Sequence, residues 1–462
     1  MLLRVNIENF KSICNNKKFS MIAYTKLKKH TNHLITLKDN LKVLKASAIF
    51  GANASGKSNL IEAMYFAKHL ITKGFPNKNM YRSFFCKTKK QNEERATRFD
   101  FEFSIQDKVY AYGFTILLKS GQFQTEYLYL LDKESQLPLF ERDTTLGICN
   151  INENYFQQQD MKRLEVYKED FAKDTSVLFL REINRRKSFP QNSSLQIFIA
   201  IFGWFNSSLS IINPYTELYQ TPYILFTNKE KIEKALQDFD TGIAEIKLME
   251  VTKEKLIEEL SFHLPNTLDS SEIVNDILLD IREKSKGEPV VVRFQNIGLY
   301  QIIYGENKEP TISSFCFRHE NSEYTFTLLE ESDGTKRLFD LLFILFLDTP
   351  EKVFVIDEIE RSLHPNLVKK YLTLFFERNK DLKTQLIFTS HESLLLDQTI
   401  FRRDEIWFVE KNNHGETHLY SLKDFDERYD KRLSNAYLKG RYGAIPSFKD
   451  LQESESENGS TS

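Results

Sequence analysis

Hydrophobic and polar positions alternate with a period of two over Leu2–Ile7, and an apolar run covers Leu44–Phe50; both predict strands. A Gly-rich turn then opens an apolar helix from Ser58 to about Ile71. Between Arg98 and Leu131, the stretches FDFEFSI, VYAYGFTILL and QTEYLYLL alternate between polar turns and predict antiparallel strands. The pattern changes from about 150 to 290, where Glu165–Arg181, Leu195–Phe205 and Lys229–Leu236 predict helices. Strand patterns return at Val290–Phe294, Gly298–Tyr304 and Glu323–Leu329. A helix over Gly334–Leu347, the buried strand VFVID (Val353–Asp357), a second helix and the strand Gln385–Ser390 follow. The last strand is EIWFVEK, and the polar end ESESENGSTS (Glu453–Ser462) is expected to be solvated and disordered. These shifts predict an N-terminal lobe over 1–150, a mostly helical insertion over 151–290, a C-terminal lobe over 291–450 and a tail over 451–462. No internal repeat is present.

Composition narrows the function classes. A chain of 462 residues is too long for one simple core, and 41% hydrophobic with 28% charged residues excludes wholesale disorder. The 63 Lys+Arg balance 65 Asp+Glu, so any nucleic-acid contact has to be a local patch rather than a basic coat. The 38 Phe and 20 Tyr, with many Lys, Asn and Ile, read as genomic base bias. Cys14, Cys86, Cys149 and Cys316 lie far apart, with no CxxC pair, which argues against a zinc site and against a disulfide scaffold. Charges at Arg4, Glu8 and Lys11 interrupt any signal-peptide core. The most apolar run, Leu338–Leu347, carries Asp340 and is about half a membrane span. A soluble, cytoplasmic protein without membrane contact is expected.

The strongest chemical signal is GANASGKS, Gly51–Ser58, which fills every fixed position of G-x-x-x-x-G-K-[ST] between an apolar strand and a helix. In such a turn the backbone N–H groups point inward around phosphate oxygens, aided by the helix N-terminus. Gly51 and Gly56 permit the tight path, Lys57 is placed to bridge β- and γ-phosphates, and Ser58 to ligate Mg²⁺. A phosphate loop needs a metal-holding acid on a neighbouring strand. VFVIDE supplies Asp357 for the metal and Glu358 as the base that polarises the attacking water. Two adjacent carboxylates leaving a buried strand are costly without a cation. In EESDGTKR, Ser332 reads as an N-cap, with Gly334 and Thr335 at the dipole-positive start of an apolar helix. His391 ends the strand QLIFTSHE, where ligands of α/β folds gather.

In this order the motifs resemble an ABC-type ATPase of the SMC/RecF/OLD-like branch. GANASGKSNLIEAM, with Asn53, Ala54, Ser55 and Asn59 around the invariant positions, is similar to that branch's G-x-N-x-S-G-K-S-N loop. ENFKS resembles its opening strand and turn, and by that resemblance Lys11 approaches the nucleotide. ESDGT resembles the ABC signature, with Asp333 departing from its first glycine. DEIERSLHP resembles the acid pair and the D-loop (Ser362–Pro365), and TSHE the switch histidine. More narrowly, MLLRVNIENFKS, DEIERSLHP, RRDEIWFVEK (Arg402–Lys411) and YLKGRYGAIPSF (Tyr437–Phe448) resemble bacterial AAA-family ATP-binding proteins of the RloA/AbiLi type, linked to phage defence. The Q-loop is indistinct: Gln122 and Gln124 stand at about the right place, and Glu126 competes with them.

The resemblance implies an α/β P-loop NTPase head of ABC type with an antiparallel β-subdomain and a helical insertion. ATP and Mg²⁺ are the implied ligands, and ATP hydrolysis the implied activity. The signature of one subunit is expected to cover the ATP of another, so a homodimer or a multiple of dimers is implied. The leading expectation is a switch that senses a phage-derived trigger and controls a separate effector, a nuclease with a Toprim-like or related fold. The alternative is a RecF-like DNA-maintenance ATPase, for which DNA would be the partner. Asp424-Phe-Asp426 with Glu410 mimics a Toprim D-x-D, but too few residues intervene for that fold, and no R-x-x-x-x-H of a HEPN ribonuclease occurs. The basic clusters Lys26–His30, Lys87–Lys90 and Arg185–Lys187 read as solvated faces, with Arg181–Lys187 the best nucleic-acid candidate. Ile201–Phe205, including Trp204, reads as core.

Overall fold

Four parallel strands carry the site. The structure, a computed structural model, describes residues 1–76, 79–185, 188–213, 222–263, 269–285, 287–294, 298–305, 309–347, 351–425 and 433–445. The chain divides into two compact units. The first comprises residues 1–211, 351–359 and 382–462, the second residues 212–350 and 360–381.

In the first unit a six-stranded sheet runs in the order Leu209–Ile212, Val353–Ile356, Gln385–Ser390, Ala46–Phe50, Ile406–Lys411, Thr417–Ser421. Val353–Ile356, Gln385–Ser390 and Ala46–Phe50 are buried at every position, which explains their near-continuous apolar runs. Ile356 pairs with Phe388, and Ser390 with Phe50, all in parallel register. The residues that follow these strands, Asp357, His391 and Gly51, therefore leave the same end of the sheet. A seven-stranded sheet, antiparallel in every recorded pairing, holds Leu2–Glu8 between Lys17–Ser20 and Thr97–Ile105. It continues through Lys108–Leu117, Gln122–Leu131, Gln136–Asp143 and Ile148–Ile151. Its inner face is aromatic: Phe99, Phe101 and Phe103 are buried, and Trp204 stacks on Phe103 at 4.2 Å between ring centroids. Ile201–Phe205 is thus core-facing at Ile201, Trp204 and Phe205.

The second unit is built on the sheet Ile243–Glu250, Pro310–His319, Gly298–Tyr304, Val290–Phe294, with Thr325–Thr327 on Pro310–His319. Helices Lys253–His263 and Ser270–Lys284 bury Leu256, Leu260, Val274 and Leu278 against Tyr300, Ile302 and Ile312. The apolar helix Asp333–Phe346 is buried from Arg337 onward. Its Asp340, the charge inside the run, is ion-paired with Arg293.

Three expectations change. Residues 151–211 pack with the first unit, and the stretch expected to be mostly helical also carries the strands Leu209–Ile212 and Ile243–Glu250. The helix expected over Glu165–Arg181 is two helices, Gln158–Phe171 and Phe179–Asn184. The break has a cause: the buried Arg142 guanidinium donates to the carbonyls of Phe171, Asp174 and Val177, and Glu126 accepts from the N–H groups of Phe179 and Leu180. Finally, Cys14 and Cys86 form a disulfide, with Cα atoms 5.3 Å apart. Topology lays the turn after Leu2–Glu8 on the segment around Cys86, where Lys11 N–H donates to Phe84 O (2.6 Å) and Cys86 N–H to Asn9 Oδ1 (3.0 Å). The expected tail, 451–462, lies outside the described residues, as do Arg186 and Lys187 of the basic cluster and Asp426.

Candidate functional site

The phosphate loop begins where Ala46–Phe50 ends and closes on the helix Lys57–Lys73. Gly56 is its N-cap at φ +110°, a conformation that favours glycine. A Cβ there would collide with Thr417 Oγ1, and one at Gly51 with the carbonyl oxygen of Val409. Both glycines are therefore required by the close approach of the strands Thr417–Ser421 and Ile406–Lys411. No side chain caps the helix, so its first amides are left to an anion. Lys57 Nζ, buried, donates to the carbonyls of Gly51 (2.7 Å) and Ala52 (3.0 Å). Ala54 is held at φ 63°, and the buried Ser55 hydroxyl has no hydrogen-bond partner within the structure.

A cavity of about 430 Å³ is lined by Asn53, Ala54, Ser55, Gly56, Lys57, Ser58 and Asn59, and also by Glu358, His391 and Lys411. The parallel register thus brings the ends of three separate strands to the loop. Asp357 is buried just behind Glu358 in sequence, and its Oδ1 accepts from the hydroxyl of Thr389. The same hydroxyl accepts from Glu358 N–H at 2.8 Å. Glu358 sits at φ 52°, a strained value for a residue with a Cβ, and strain of this sort gathers at functional sites. The uncapped helix start, the unsatisfied Ser55 hydroxyl and the glycine cradle fit a phosphate chain. A hydroxyl with one carboxylate fits Mg²⁺, which takes few protein ligands beside substrate oxygens. Among the described residues no cluster of three or more His, Cys, Asp or Glu could hold a metal ion.

Lys11 stands elsewhere. Its ammonium pairs with Glu62 on the phosphate-loop helix and lies 4.4 Å from the Phe84 ring centroid. It lines a second cavity of about 530 Å³, with Ser12, Asn59, Phe84, Phe85 and His414 among its neighbours. Asn59 lines both cavities and donates to Ser12 Oγ at 2.6 Å.

The segments that resemble a signature and a D-loop, Ser332–Thr335 and Ser362–Pro365, belong to the second unit. Ser332 is an exposed N-cap whose hydroxyl accepts from Thr335 N–H at 3.0 Å. A Cβ on Gly334 would stand 2.7 Å from Ser362 O, and Ser362 itself is at φ 60°. These two segments are therefore in direct backbone contact. Gln122 and Gln124 lie in the strand Gln122–Leu131, inside the seven-stranded antiparallel sheet, and line neither cavity, while Glu126 is the buried partner of Arg142.

Several residues escaped sequence reasoning. Thr389 braces both acids, yet nothing marks a threonine inside TSHE as different from any β-former. The RDE of RRDEIW has a structural meaning: buried Arg402 chelates Asp404 (2.9 and 3.0 Å) and donates to Lys29 O, and buried Glu405 bonds His33 Nδ1 at 3.0 Å. Burial pushes the Glu405 carboxyl well above its ordinary range and His33 down to about 3, with Arg402 and Lys45 adding to the latter. Glu410 and Asp424, two of the three residues of the Toprim-like constellation, are engaged locally, on Ala444 N–H and Ser421 N–H.

A model of the family described as "AAA domain, putative AbiEii toxin, Type IV TA system" matches residues 46–146 and 205–397. Among solved structures the chain is similar to an SMC head bound to the C-winged helix domain of ScpA, at 13% identity and TM-score 0.39, covering 91% of this chain and 97% of that one. It is also similar to the SMC head domain from Thermotoga maritima, at 12% identity and TM-score 0.35, covering 91% and 98%. A third is an Smc head with an extended coiled coil bound to the C-terminal domain of ScpA, derived from Pyrococcus furiosus (15% identity, TM-score 0.40, 91% and 96% covered). No curated protein matches the chain. No helix among the described residues is long and apolar enough to cross a membrane. The family match spans well over half of the sequence, and the chain belongs to this AAA-domain family of P-loop ATPases.

Proposed function

We propose that this chain is the ATP-hydrolysing, ABC-type switch subunit of a bacterial anti-phage defence system of the RloA/AbiLi kind. The observation that carries the catalytic part is the convergence of Lys57, Ser58, Glu358 and His391 on one cavity, with Asp357 and Glu358 tied to a single hydroxyl. In this reading the loop amides from Asn53 to Asn59 and the Lys57 ammonium hold the phosphates of ATP. Ser58 and Asp357 hold Mg²⁺, which when bound offsets phosphate charge. Glu358 accepts a proton from water as its oxygen attacks the γ-phosphorus and ADP departs. His391 reaches the γ-phosphate from the adjacent strand.

Ser332, Gly334 and Thr335 then act on the nucleotide of a second copy, in a homodimer or a multiple of dimers. The exposed Ser332 and the helix start beneath it suit an incoming anion. The toxin–antitoxin wording of the family description supports a defence role with a separate effector, proposed to be a nuclease. Residues 151–290 are the proposed source of the trigger- or effector-contacting surface.

Two variants test this. Lys57→Ala should weaken ATP binding at least about tenfold, because it removes the buried cation of the loop. Glu358→Gln should keep ATP binding and lower turnover by roughly 10²–10⁴-fold. Wild-type turnover in both would sink the roles given to Lys57 and Glu358, and absence of ATP turnover by the wild type would sink the ATPase reading. Protection against phage should require Lys57, Glu358 and a co-expressed genomic neighbour; protection by this chain alone would defeat the two-component reading.

A further inference from the structure

The phosphate cavity holds a second lysine that neither the motifs nor the family assigns. In the strand Ile406–Lys411, Trp407 pairs with Ile49 and Phe408 with Phe50, so the strand outruns its neighbour by three residues. Those three, Val409 to Lys411, run alongside the phosphate loop. Val409 O fills the space a Cβ on Gly51 would need, and Lys411 lines the cavity.

The hairpin that follows is built to hold this position. Asn412 Oδ1 accepts from the N–H groups of His414 (3.0 Å) and Glu416 (2.9 Å), and Gly415 takes φ +77° to complete the turn. The chain returns with Thr417 paired to Lys411. Thr417 N–H donates to Ser12 O (2.7 Å), and its hydroxyl bonds Ser12 Oγ (2.6 Å) and Ser55 O (3.3 Å). The backbone of Lys411 is thus held through Thr417 against Ser12 and the loop residue Ser55, while its own side chain is exposed.

Charge says what it serves. The charged groups lining the cavity are one carboxylate, Glu358, against the ammoniums of Lys57 and Lys411, with the imidazole of His391 beside them. A nucleoside triphosphate with one Mg²⁺ keeps about two negative charges, and one lysine beside a glutamate leaves these uncompensated. We infer that Lys411 is a second nucleotide-binding cation, contacting the polyphosphate of ATP and ADP from the strand opposite to Glu358 and His391. This rests on the ATPase reading above and adds a residue to it.

The test uses the full chain, with ATP·Mg²⁺ and ADP·Mg²⁺ as titrants in calorimetry. Lys411→Met keeps the aliphatic stem and removes the charge. It should raise Kd for both nucleotides by about five- to twentyfold and flatten the salt dependence of Kd, with an unchanged melting temperature. Lys411→Arg should stay within about twofold of wild type, which a merely steric role would not produce. Wild-type binding with unchanged affinity in Lys411→Met overturns this inference alone. Absence of nucleotide binding by the wild type overturns both it and the ATPase reading.

Discussion

The hydroxyl of Thr389 donates to Asp357 Oδ1 from the middle strand of the site, and in the same position accepts the N–H of Glu358 at 2.8 Å. One side chain therefore fixes the metal-side carboxylate and the strained backbone of the proposed base together. Thr389→Val keeps volume and β-branching but cannot make either bond. A lost bond to a buried carboxylate is worth about 1.5–3 kcal/mol, so turnover should fall about 10- to 100-fold, with ATP affinity within a few-fold of wild type. Thr389→Ser should recover most of the loss. Steady-state kinetics of the two variants decide it; normal kcat in Thr389→Val would mean the bracing is incidental.

What could be read from the sequence follows a physical divide. The phosphate loop was legible because glycine and lysine at fixed spacing answer to local geometry, and Val353–Asp357 because a strand buried on both faces is apolar throughout. Thr389 and Lys411 were not, since their roles depend on the parallel register that sets Thr389 beside Asp357 and carries Lys411 past Gly51 to the phosphate-loop cavity. The same holds for Asp340, whose charge inside an apolar helix looks anomalous until Arg293 meets it from a strand 47 residues earlier. The break after Phe171 was invisible because its cause, Arg142, lies on another strand.

The contact between Gly334 and Ser362 O leaves no room for a side chain. Gly334→Ala should displace the D-loop or the first turn of the signature helix and lower ATP turnover by an order of magnitude or more. Single-chain ATP binding should change little. Ser332→Arg blocks the exposed cap and should have the same signature. Mixing Ser332→Arg with Lys57→Ala chains should restore about half-sites activity if the signature acts on a second copy. Full activity from a dilute, verified monomer would show that it does not.

The Cys14–Cys86 bond closes a separation of 72 residues and ties the turn carrying Lys11 and Ser12 to the segment carrying Phe84. On chain-entropy grounds a closed loop of this length contributes about 4 kcal/mol by constraining the unfolded chain. The double variant Cys14→Ser/Cys86→Ser should melt several degrees below the oxidised wild type and coincide with wild type melted in excess dithiol. Equal melting temperatures with and without dithiol would show that the bond contributes nothing to stability.

The His33–Glu405 pair sets opposing pH dependences that single substitutions can separate. His33, held down to about 3 by burial, stays neutral in the folded chain while the unfolded chain takes up a proton near pH 6.5. The unfolded state thus binds more protons between these values, so the His33 contribution is complete above about pH 6.5 and is lost as pH falls. Glu405 is pushed up by burial, so there the folded state binds the extra proton above about pH 4.5, and its contribution is lost as pH rises. Over pH 5–6.5 the two slopes oppose each other, and wild-type stability should vary less than either group alone dictates. Glu405→Gln leaves only the histidine slope: its melting temperature should fall on acidification from pH 7 to 5 more steeply than that of the wild type. His33→Asn leaves only the carboxyl slope and should gain relative stability over the same range. Thermal melts of the three proteins at pH 5, 6 and 7 test the assignment, and parallel curves would show that the pair titrates alike in the folded and unfolded chains.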